Sequence, residues 1–490
     1  MFLGIDLGTS SVKVILLDRR HQVLASASAP LNVQQPQPLW REQDPADWWR
    51  ACERALADVL AQAAKAGIRP SAIEAIGLTG QMHGATCLDA GGEVLRPAIL
   101  WNDGRAHREC ADLEALVPAS RAITGNLMMP GFTAPKLLWM ARHEPATFKR
   151  IAKVLLPKDY LRWRLSGDYA SDLSDSAGTL WLDVGRRDWS DELLAATQLT
   201  RAHMPVLHEG PEVTGRLRSD IASRFGLREI PIVAGGGDNA AGALGVGVVR
   251  AGQAMLSLGT SGVCFVATDC FVVNPAQAVH SFCHALPATW HLMSVMLSAA
   301  ACVDFTARLT GETDVPRLLA EAEQRGLDDA TPLFLPYLNG ERTPHNNPAA
   351  QAVFFGMTAA TARADLVNAT LEGVGHGLAQ GIAALHATGA PIGSVSVIGG
   401  GARSAYWTQM IADISGRAMV RRAEAEVGPS LGAARLAWMA CDQAAADEVC
   451  VEPQCLAVHE PQPSRHAFFA ARARRFADLY QRLEPAFPAA

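Results

Sequence analysis

The sequence predicts an α/β protein built from two similar domains, and its length and one repeated motif support this. A chain of 490 residues is too long for a single hydrophobic core. The tetrapeptide Leu-Gly-Thr-Ser occurs at residues 7–10 and again at 258–261, each time between two short apolar runs. Each copy is typical of a β-hairpin whose turn exposes backbone N–H groups and hydroxyls, which suit a phosphate. Two such turns predict two domains that close on one polyphosphate.

Composition narrows the class of protein. The chain is 49% hydrophobic and 19% charged, with a formal net charge of −6, as in ordinary soluble α/β proteins. This charge argues against nucleic acid or an anionic membrane as partner. The ten cysteines include no Cys-x-x-Cys pair, so neither a disulfide framework nor a zinc site is predicted. Without a signal-peptide pattern or a long apolar run, we expect a cytoplasmic protein.

Local patterns place the elements that would carry the chemistry. Asp44 followed by Pro45 predicts the start of a helix over residues 45–66. Buried strands are predicted at residues 73–78, 230–234 and 395–398, each followed by a glycine-containing loop. A helix is expected at 406–414, and the chain should end in an amphipathic helix from Arg465 onward. We place the domain boundary near Val249, which gives domains of residues 1–249 and 250–490.

Two aspartates are candidates for phosphoryl-transfer chemistry. Asp6 ends the first predicted strand, where its carboxylate could hold Mg²⁺ against phosphates; the alternative is a turn cap. Asp238 follows three glycines, Gly235 to Gly237, which allow backbone to approach a ligand closely. Its carboxylate could accept the proton of an attacking hydroxyl, or it could serve as a helix N-cap.

Two glycine-bounded loops are weaker candidates. Residues 399–401 form a Gly-Gly-Gly run after a strand, suited to the face of a purine or to a simple tight turn. Met82 and His83 lie in a loop bounded by Gly80 and Gly84, where they could meet a substrate or pack in the core. Neither a P-loop nor a Gly-x-Gly-x-x-Gly fingerprint is present.

Two long stretches resemble the signatures of a known family. They are residues 131–140, Gly-Phe-Thr-Ala-Pro-Lys-Leu-Leu-Trp-Met, and a segment running from Ala352 through Asp365 to Gly373. On these the chain resembles the FGGY family of sugar kinases, in the superfamily of actin, hexokinase and the heat-shock chaperone ATPases. Shorter phrases at residues 80–84, 99–105, 125–130, 156–160 and 340–345 resemble the bacterial members that act on D-xylulose.

The resemblance implies a fold of two ribonuclease-H-like, actin-like ATPase domains, each with a mixed sheet flanked by helices, and an active-site cleft between them. It implies ATP-dependent phosphorylation of D-xylulose at its terminal hydroxyl, giving D-xylulose 5-phosphate in pentose catabolism. ATP with Mg²⁺ would lie mostly on the C-terminal domain and the sugar on the N-terminal domain. The oligomeric state stays open, a homodimer being one option.

Residue by residue, the resemblance implies Asp238 as proton acceptor and Met82, His83 and Asn239 as sugar-binding residues. It implies Asp6 as the Mg²⁺ residue. The implied phosphate and adenosine contacts are Thr9, Ser10, Gly259, Thr260, Gly400 and Gly401. Several relatives carry an asparagine that contacts the base where this chain has Ala405, so the resemblance does not extend to that contact.

Other functions remain open at this level. A kinase of the same family acting on ribulose, gluconate, fuculose or glycerol would differ only in its sugar pocket, and the Gln-Met-His loop argues against it. A non-catalytic nucleotide switch would not require an aspartate such as Asp238 directly after three glycines. A degenerate kinase acting as a regulator is not supported, since no catalytic position is visibly lost.

Overall fold

The computed structural model describes residues 1–423 and 428–488 and contains two seven-stranded mixed sheets. The N-terminal sheet has its strands in the spatial order Val213–Arg216, Pro231–Val233, Ala75–Gly80, Phe2–Leu7, Ser11–Leu17 and Val23–Pro30, with Gly236–Gly237 also paired to Ala75–Gly80. The C-terminal sheet has the order Cys455–His459, Met419–Arg422, Val395–Ile398, Ala254–Leu258, Gly262–Thr268, Trp290–Met296 and His280–Cys283.

Both sheets follow one plan. Three adjacent antiparallel strands begin with a hairpin, and the first strand of that hairpin pairs in parallel with a later strand; the C-terminal sheet adds His280–Cys283 as a fourth antiparallel strand at its edge. Beyond that later strand, each sheet continues with one parallel strand and ends with one antiparallel strand. The prediction of two similar mixed α/β domains is confirmed.

Helices cover both sheets. They are Pro45–Lys65, His107–Leu116, Ser120–Thr124, Thr133–His143, Pro145–Phe148, Pro157–Ser166, Leu173–Ala177, Asp191–Ala196, Ser219–Phe225, Asp238–Gly245, Ala300–Leu309, Val315–Arg325, Arg363–His386, Ala405–Ser415, Gly428–Asp442, Ala446–Val449 and Pro463–Leu483. Short 3₁₀ turns lie at Pro70–Ala72, Arg201–His203, Pro275–Gln277, Gly400–Arg403 and Glu484–Ala486. Two-stranded pairs join Leu182–Asp183 to Asp188–Trp189, Ala170–Asp172 to Val206–His208, Leu333–Leu335 to Val353–Phe355, Glu42–Gln43 to Ala98–Ile99, and Thr86–Leu88 to Lys153–Leu155.

The local signals in the sequence are reflected in these elements. Asp44 caps the helix Pro45–Lys65 by accepting from the backbone N–H of Ala46, and the helix buries Trp48 and Val59. The strand Val395–Ile398 and the helix Ala405–Ser415 lie where the sequence predicts them. The last helix, Pro463–Leu483, is amphipathic and buries one face against the C-terminal half, as expected.

The helix Gly428–Asp442 comes from the C-terminal half of the chain but packs on the N-terminal sheet. Gly4 and Gly77 make this approach possible, since a Cβ at either would overlap the backbone of Ser430 or Ala433. Phe2 and Trp438 stack across this contact with ring centroids 5.7 Å apart. This later helix thus packs with the N-terminal sheet, while the boundary near Val249 stays a prediction.

The helix Asp238–Gly245 packs directly on Gly428–Asp442 through small residues. A Cβ on Gly432 would overlap the carbonyl of Ala241. At the other end of the short helix, Arg435 Nη1 donates to the carbonyls of Leu244 (2.7 Å) and Gly245 (3.1 Å). A guanidinium there satisfies carbonyls that the helix leaves unpaired and complements the helix dipole.

Within the described ranges, no helix is both long and apolar enough to cross a lipid bilayer. All ten cysteines lie in the described part of the chain and are free thiols there, with Cys270, Cys441 and Cys455 exposed. The expectation that no disulfide framework is present agrees with this.

We expect Gly432→Ala to destabilise the protein, because its Cβ would force the two helices apart. Overpacking of this kind lowers the free energy of unfolding by about 1–3 kcal/mol. Gly242→Ala is the matched control: it lies on the partner helix, and its Cβ would make ordinary contacts at 3.8 and 3.9 Å. Calorimetry should show a lower melting temperature for Gly432→Ala alone; equal melting temperatures for the two variants would contradict this packing.

Candidate functional site

The register of the N-terminal sheet brings the predicted sugar and metal residues to one edge. Asp6 lies opposite Thr79, and Gly236 pairs with Thr79 from the other side. The first hairpin turn, the Gln81–His83 loop and Asp238 therefore all leave the sheet at the carboxyl ends of parallel strands. In α/β folds this edge is where ligands bind.

Asp238 is the first residue of its helix, directly after Gly237. Its Oδ1 accepts from the backbone N–H of Asn239 (2.7 Å) and from the side-chain amide of Asn239 (2.9 Å). Its Oδ2 accepts no hydrogen bond from the residues that the structure describes. Burial raises the pKa of Asp238 to about 6, against the two hydrogen bonds from Asn239, which lower it. One oxygen is thus fixed and the other remains available.

Asp6 lies close enough to Asp238 for the two carboxylates to repel each other. Burial, with Asp238 adding to it, raises the pKa of Asp6 to about 7, while Lys13 on the neighbouring strand lowers it. Asp6 Oδ1 is buried and has no hydrogen-bond partner among the described residues. A buried carboxylate oxygen without a donor is the kind of group that a hard cation satisfies.

Met82 lies against the residue that precedes Asp238, and His83 follows it in the same loop. The Met82 side chain packs against Gly237, whose Cβ would stand 3.0 Å from the Met82 sulfur. His83 Nδ1 lies 2.6 Å from the carbonyl oxygen of Gly178, and its ring packs on Phe132 with centroids 4.3 Å apart. Burial lowers the pKa of His83 to about 3, so the imidazole is neutral at physiological pH. Because a carbonyl only accepts, Nδ1 carries the proton and Nε2 is left as an acceptor.

The backbone of His83 is held in an unusual conformation by residues that sequence reasoning did not assign. Its φ is 68°, a region that non-glycine residues rarely adopt. Its carbonyl accepts from Thr133 Oγ1 (3.1 Å) and from Lys136 Nζ (2.8 Å). Lys136 is fully buried, and burial lowers its pKa well below the usual range. Thr133 and Lys136 both lie in the first signature stretch, 131–140, which was the only signal for them.

A hydrogen-bond network holds the first hairpin turn. Thr9 Oγ1 donates to Gln81 Oε1 (3.1 Å) and accepts from Trp101 Nε1 (3.0 Å). Gln43 Nε2 donates to the carbonyl of Thr9 (2.8 Å), and Gln43 Oε1 accepts from Gln81 Nε2 (3.0 Å). The Thr9 hydroxyl is therefore engaged within the protein, whereas Ser10 is exposed. Gln43 and Trp101 gave no sequence signal of this role.

The predicted nucleotide residues meet at the corresponding edge of the C-terminal sheet. Ser257 lies opposite Ile398, so the turn at Gly259 and Thr260 adjoins the Gly399–Gly401 loop. Gly399 has φ 90° and passes close to the Leu258 carbonyl, so a side chain there would clash. A Cβ on Gly400 would meet open space. Ala405 is exposed at the start of its helix, immediately after this loop.

Among residues 1–423 and 428–488, no cluster of three or more His, Cys, Asp or Glu side chains could hold a metal ion alone. Any cation at Asp6 would therefore have at most one further ligand of these types among the described residues. Mg²⁺ binds in this way in phosphoryl-transfer sites, through one or two carboxylates plus phosphate oxygens.

Comparison with family models and known proteins identifies relatives over the whole chain. Residues 1–245 match the N-terminal domain, and residues 254–441 the C-terminal domain, of the FGGY family of carbohydrate kinases. The chain is 56% identical over 487 residues to a xylulose kinase of Escherichia coli (strain K12), covering 99% of each. It is 54% identical to a xylulose kinase of Klebsiella pneumoniae, again covering 99% of each.

Solved structures are similar over the same length. A xyloylose kinase from Brucella ovis superimposes with a TM-score of 0.95 at 46% identity, covering 99% of both chains. A xylulose kinase from Rhodospirillum rubrum gives a TM-score of 0.91 at 30% identity, also covering 99% of both.

We expect Asp6 and Asp238 to destabilise the metal-free protein increasingly as pH rises from 5 to 8. Asp6 and Asp238 keep their protons to about pH 7 and 6 when folded, but ionise near 3.8 when unfolded. The folded state therefore holds more protons on these two groups over this range, so their contribution to stability falls with rising pH. As the pH increases, the melting temperature of the wild type in EDTA should shift downward relative to that of Asp6→Asn. The control is Asp329→Asn, which changes an exposed carboxylate and should keep the wild-type dependence of melting temperature on pH. If Asp6→Asn also kept that dependence, the described burial of Asp6 would be contradicted.

Proposed function

Because the chain belongs to the FGGY family of carbohydrate kinases, we propose that it transfers the γ-phosphoryl group of ATP to the terminal hydroxyl of D-xylulose. The observation that carries this proposal is Asp238, whose Oδ2 has no partner among the described residues and which directly follows Gly237, the glycine packed against Met82. The xylulose kinases of Escherichia coli and Klebsiella pneumoniae, similar over 99% of the chain, support the choice of sugar.

Asp238 is the general base of this reaction. Its pKa of about 6 leaves it ionised at neutral pH while keeping it basic enough to take a hydroxyl proton. Asn239 fixes Oδ1 with two hydrogen bonds, so Oδ2 accepts the proton as the sugar oxygen attacks phosphorus. The remaining amide capacity of Asn239 serves a sugar hydroxyl.

Met82 and His83 form one wall of the sugar pocket. The neutral His83 presents Nε2 as an acceptor for a sugar hydroxyl, since Nδ1 is committed to Gly178. Met82 supplies an apolar surface next to Gly237. Residues 1–249 form the sugar domain and 250–490 the nucleotide domain.

Asp6 is the residue that holds Mg²⁺, and the unpartnered buried Oδ1 fits that role. A bound ion would supply charge neutralisation to the phosphates. It would also favour the ionised form of Asp6, whose pKa is raised by burial and by repulsion from Asp238.

The two polar turns hold the phosphates. Ser10 and Thr260 present exposed hydroxyls, and Gly259 contributes backbone. Thr9 acts through its backbone, because its hydroxyl is occupied by Gln81 and Trp101. Gly400 and Gly401 line the adenosine site, where open space above Gly400 leaves room for the nucleoside. Phosphoryl transfer depends on such positioning more than on covalent chemistry.

Substitution of Asp238 by Asn tests the base. We expect kcat to fall by about 10²–10⁴-fold, because the amide cannot accept the proton. Sugar affinity by calorimetry should stay within about tenfold, since the side-chain shape is kept. Asp58→Asn, an exposed carboxylate on the helix Pro45–Lys65, is the control and should have wild-type activity. Near-normal turnover of Asp238→Asn would contradict the general-base role.

Substrate choice is tested by ADP release with Mg·ATP and a panel of D-xylulose, L-ribulose, L-fuculose, glycerol, gluconate and no sugar. We expect a large stimulation confined mainly to D-xylulose. A different best substrate would overturn the assignment of Met82 and His83 while keeping the kinase. A flat background across the panel would overturn the kinase activity and favour a nucleotide switch.

A further inference from the structure

A cluster of buried charges lies beneath the Gly235–Asp238 segment and takes no part in the chemistry proposed above. Lys158 Nζ contacts Asp159 Oδ1 (2.5 Å), Asp172 Oδ1 (2.8 Å) and Asp175 Oδ2 (3.2 Å), and all four side chains are fully buried. Burying this many charges costs free energy that their mutual attraction often fails to recover. The cluster is therefore weak evidence for a contribution to the free energy of unfolding. Its contacts with neighbouring residues indicate a second role.

The cluster also controls which of its members are charged. Burial first, with Asp159 and Asp172 adding to it, raises the pKa of Asp175 well above its usual range. Burial alone would lower the pKa of Lys158, but its three carboxyl neighbours outweigh that and raise it. Lys158 thus stays positively charged and holds Asp172 firmly.

Two side chains connect this cluster to the backbone that precedes Asp238. Arg162, also fully buried, donates through Nη1 to the carbonyl of Val233 (2.7 Å) and through Nη2 to that of Ala234. Ser174 Oγ accepts from the backbone N–H of Gly237 (3.0 Å). The glycine segment is therefore held on both sides, at its start by Arg162 and at its end by Ser174.

The direction of the Ser174 hydroxyl is fixed by chemistry. It donates to Asp172 Oδ2, and a carboxylate can only accept, so the lone pairs of Oγ face the Gly237 N–H. Asp172 is itself fixed, because its Oδ2 also accepts from the backbone N–H groups of Ser174 (2.7 Å) and Asp175 (3.1 Å) while Oδ1 faces Lys158. A continuous chain of contacts runs from Lys158 through Asp172 and Ser174 to Gly237.

We propose that Ser174, oriented by Asp172 and Lys158, is a positioning residue that fixes the Gly237 peptide and thereby aims the Asp238 carboxylate at the sugar hydroxyl. The proposal rests on the function proposed above. Three successive glycines are the most freely rotating backbone available, and a base at their end needs an external restraint. Small misplacements of a reacting group cost large factors in rate.

A purely structural role of Ser174 predicts a different result, namely a loss of stability alone. Asp172 is the N-cap of the helix Leu173–Ala177, and Ser174 lies in its first turn, so the same atoms also stabilise that helix. Loss of a cap lowers stability without changing how the rate depends on Asp238. The test must therefore separate kcat from stability.

Ser174→Ala removes the acceptor for Gly237, and Ser176→Ala is the matched control. Ser176 is buried on the same helix, and its hydroxyl donates to Ser171 Oγ (2.9 Å) rather than to the glycine segment. We expect Ser174→Ala to lower kcat about tenfold, with KM for D-xylulose and ATP within about twofold, because orientation is lost rather than binding. Ser176→Ala should lower the melting temperature similarly and keep kcat. Equal kcat for the two variants would overturn the proposal.

A double-mutant cycle with Asp238→Asn shows whether Ser174 acts through Asp238. We expect the Ser174→Ala loss to disappear from the residual activity of the Asp238→Asn background. An equal loss in both backgrounds would overturn the positioning role, since Ser174 would then act elsewhere. If Asp238→Asn is inactive while Ser174→Ala keeps full kcat, only the positioning role fails. If Asp238→Asn is fully active, the proposed base fails.

Discussion

The arrangement of the site depends on a direct contact between backbones. The helix Gly428–Asp442 lies on the N-terminal sheet with no side chain between them at Gly4 and Gly77. The same helix packs through Gly432 on the helix Asp238–Gly245. Its Arg435 donates to the last carbonyls of that shorter helix. One segment from the end of the chain thus fixes the helix that begins with Asp238 against the strands that carry Asp6 and the Met82 loop. Glycine is required because any larger residue would move these parts by more than a hydrogen bond tolerates.

The N-terminal half uses burial in two opposite ways. At the edge of the site, burial raises the pKa of both Asp6 and Asp238, and repulsion from Asp238 raises that of Asp6 further. Beneath the site, Lys158 and Arg162 give other carboxylates the partners they need. Two carboxylates of raised pKa thus lie at the edge where a cation and a hydroxyl are proposed to bind, and ion-paired charges lie beneath them. Carboxylates with a perturbed pKa are typical of reactive sites, whereas ion-paired charges are typical of the structure that holds such a site in place.

Local patterns in the sequence predicted several of the elements around the site. Asp44 and Pro45 indicate a helix, and the two Leu-Gly-Thr-Ser turns indicate hairpins, because those signals act between residues close in sequence. The partners of Thr9 could not be predicted in the same way, since Gln81 and Trp101 are distant in the chain and only the fold brings them near. Ser174 lies 63 residues before Gly237 and carries no motif of its own. The positions of Asp6, Asp238 and the glycine loops follow from strand order, while their roles remain predictions.

The repeated plan of the two sheets makes Asp6 and Ser257 equivalent positions, each one residue before a Leu-Gly-Thr-Ser turn and each opposite the strand that precedes a loop. By the same equivalence Gly80, Gln81 and Met82 correspond to Gly399, Gly400 and Gly401. The scaffold is thus pseudo-symmetric, but the symmetry is broken twice: one half keeps a carboxylate and bulky side chains, and the other has a neutral hydroxyl and bare backbone. A polyphosphate chain placed between two like turns would have no preferred polarity. In the mechanism proposed above, a cation held at Asp6 would give it one, because the metal-bound end of the polyphosphate would then point towards the half proposed to hold the acceptor.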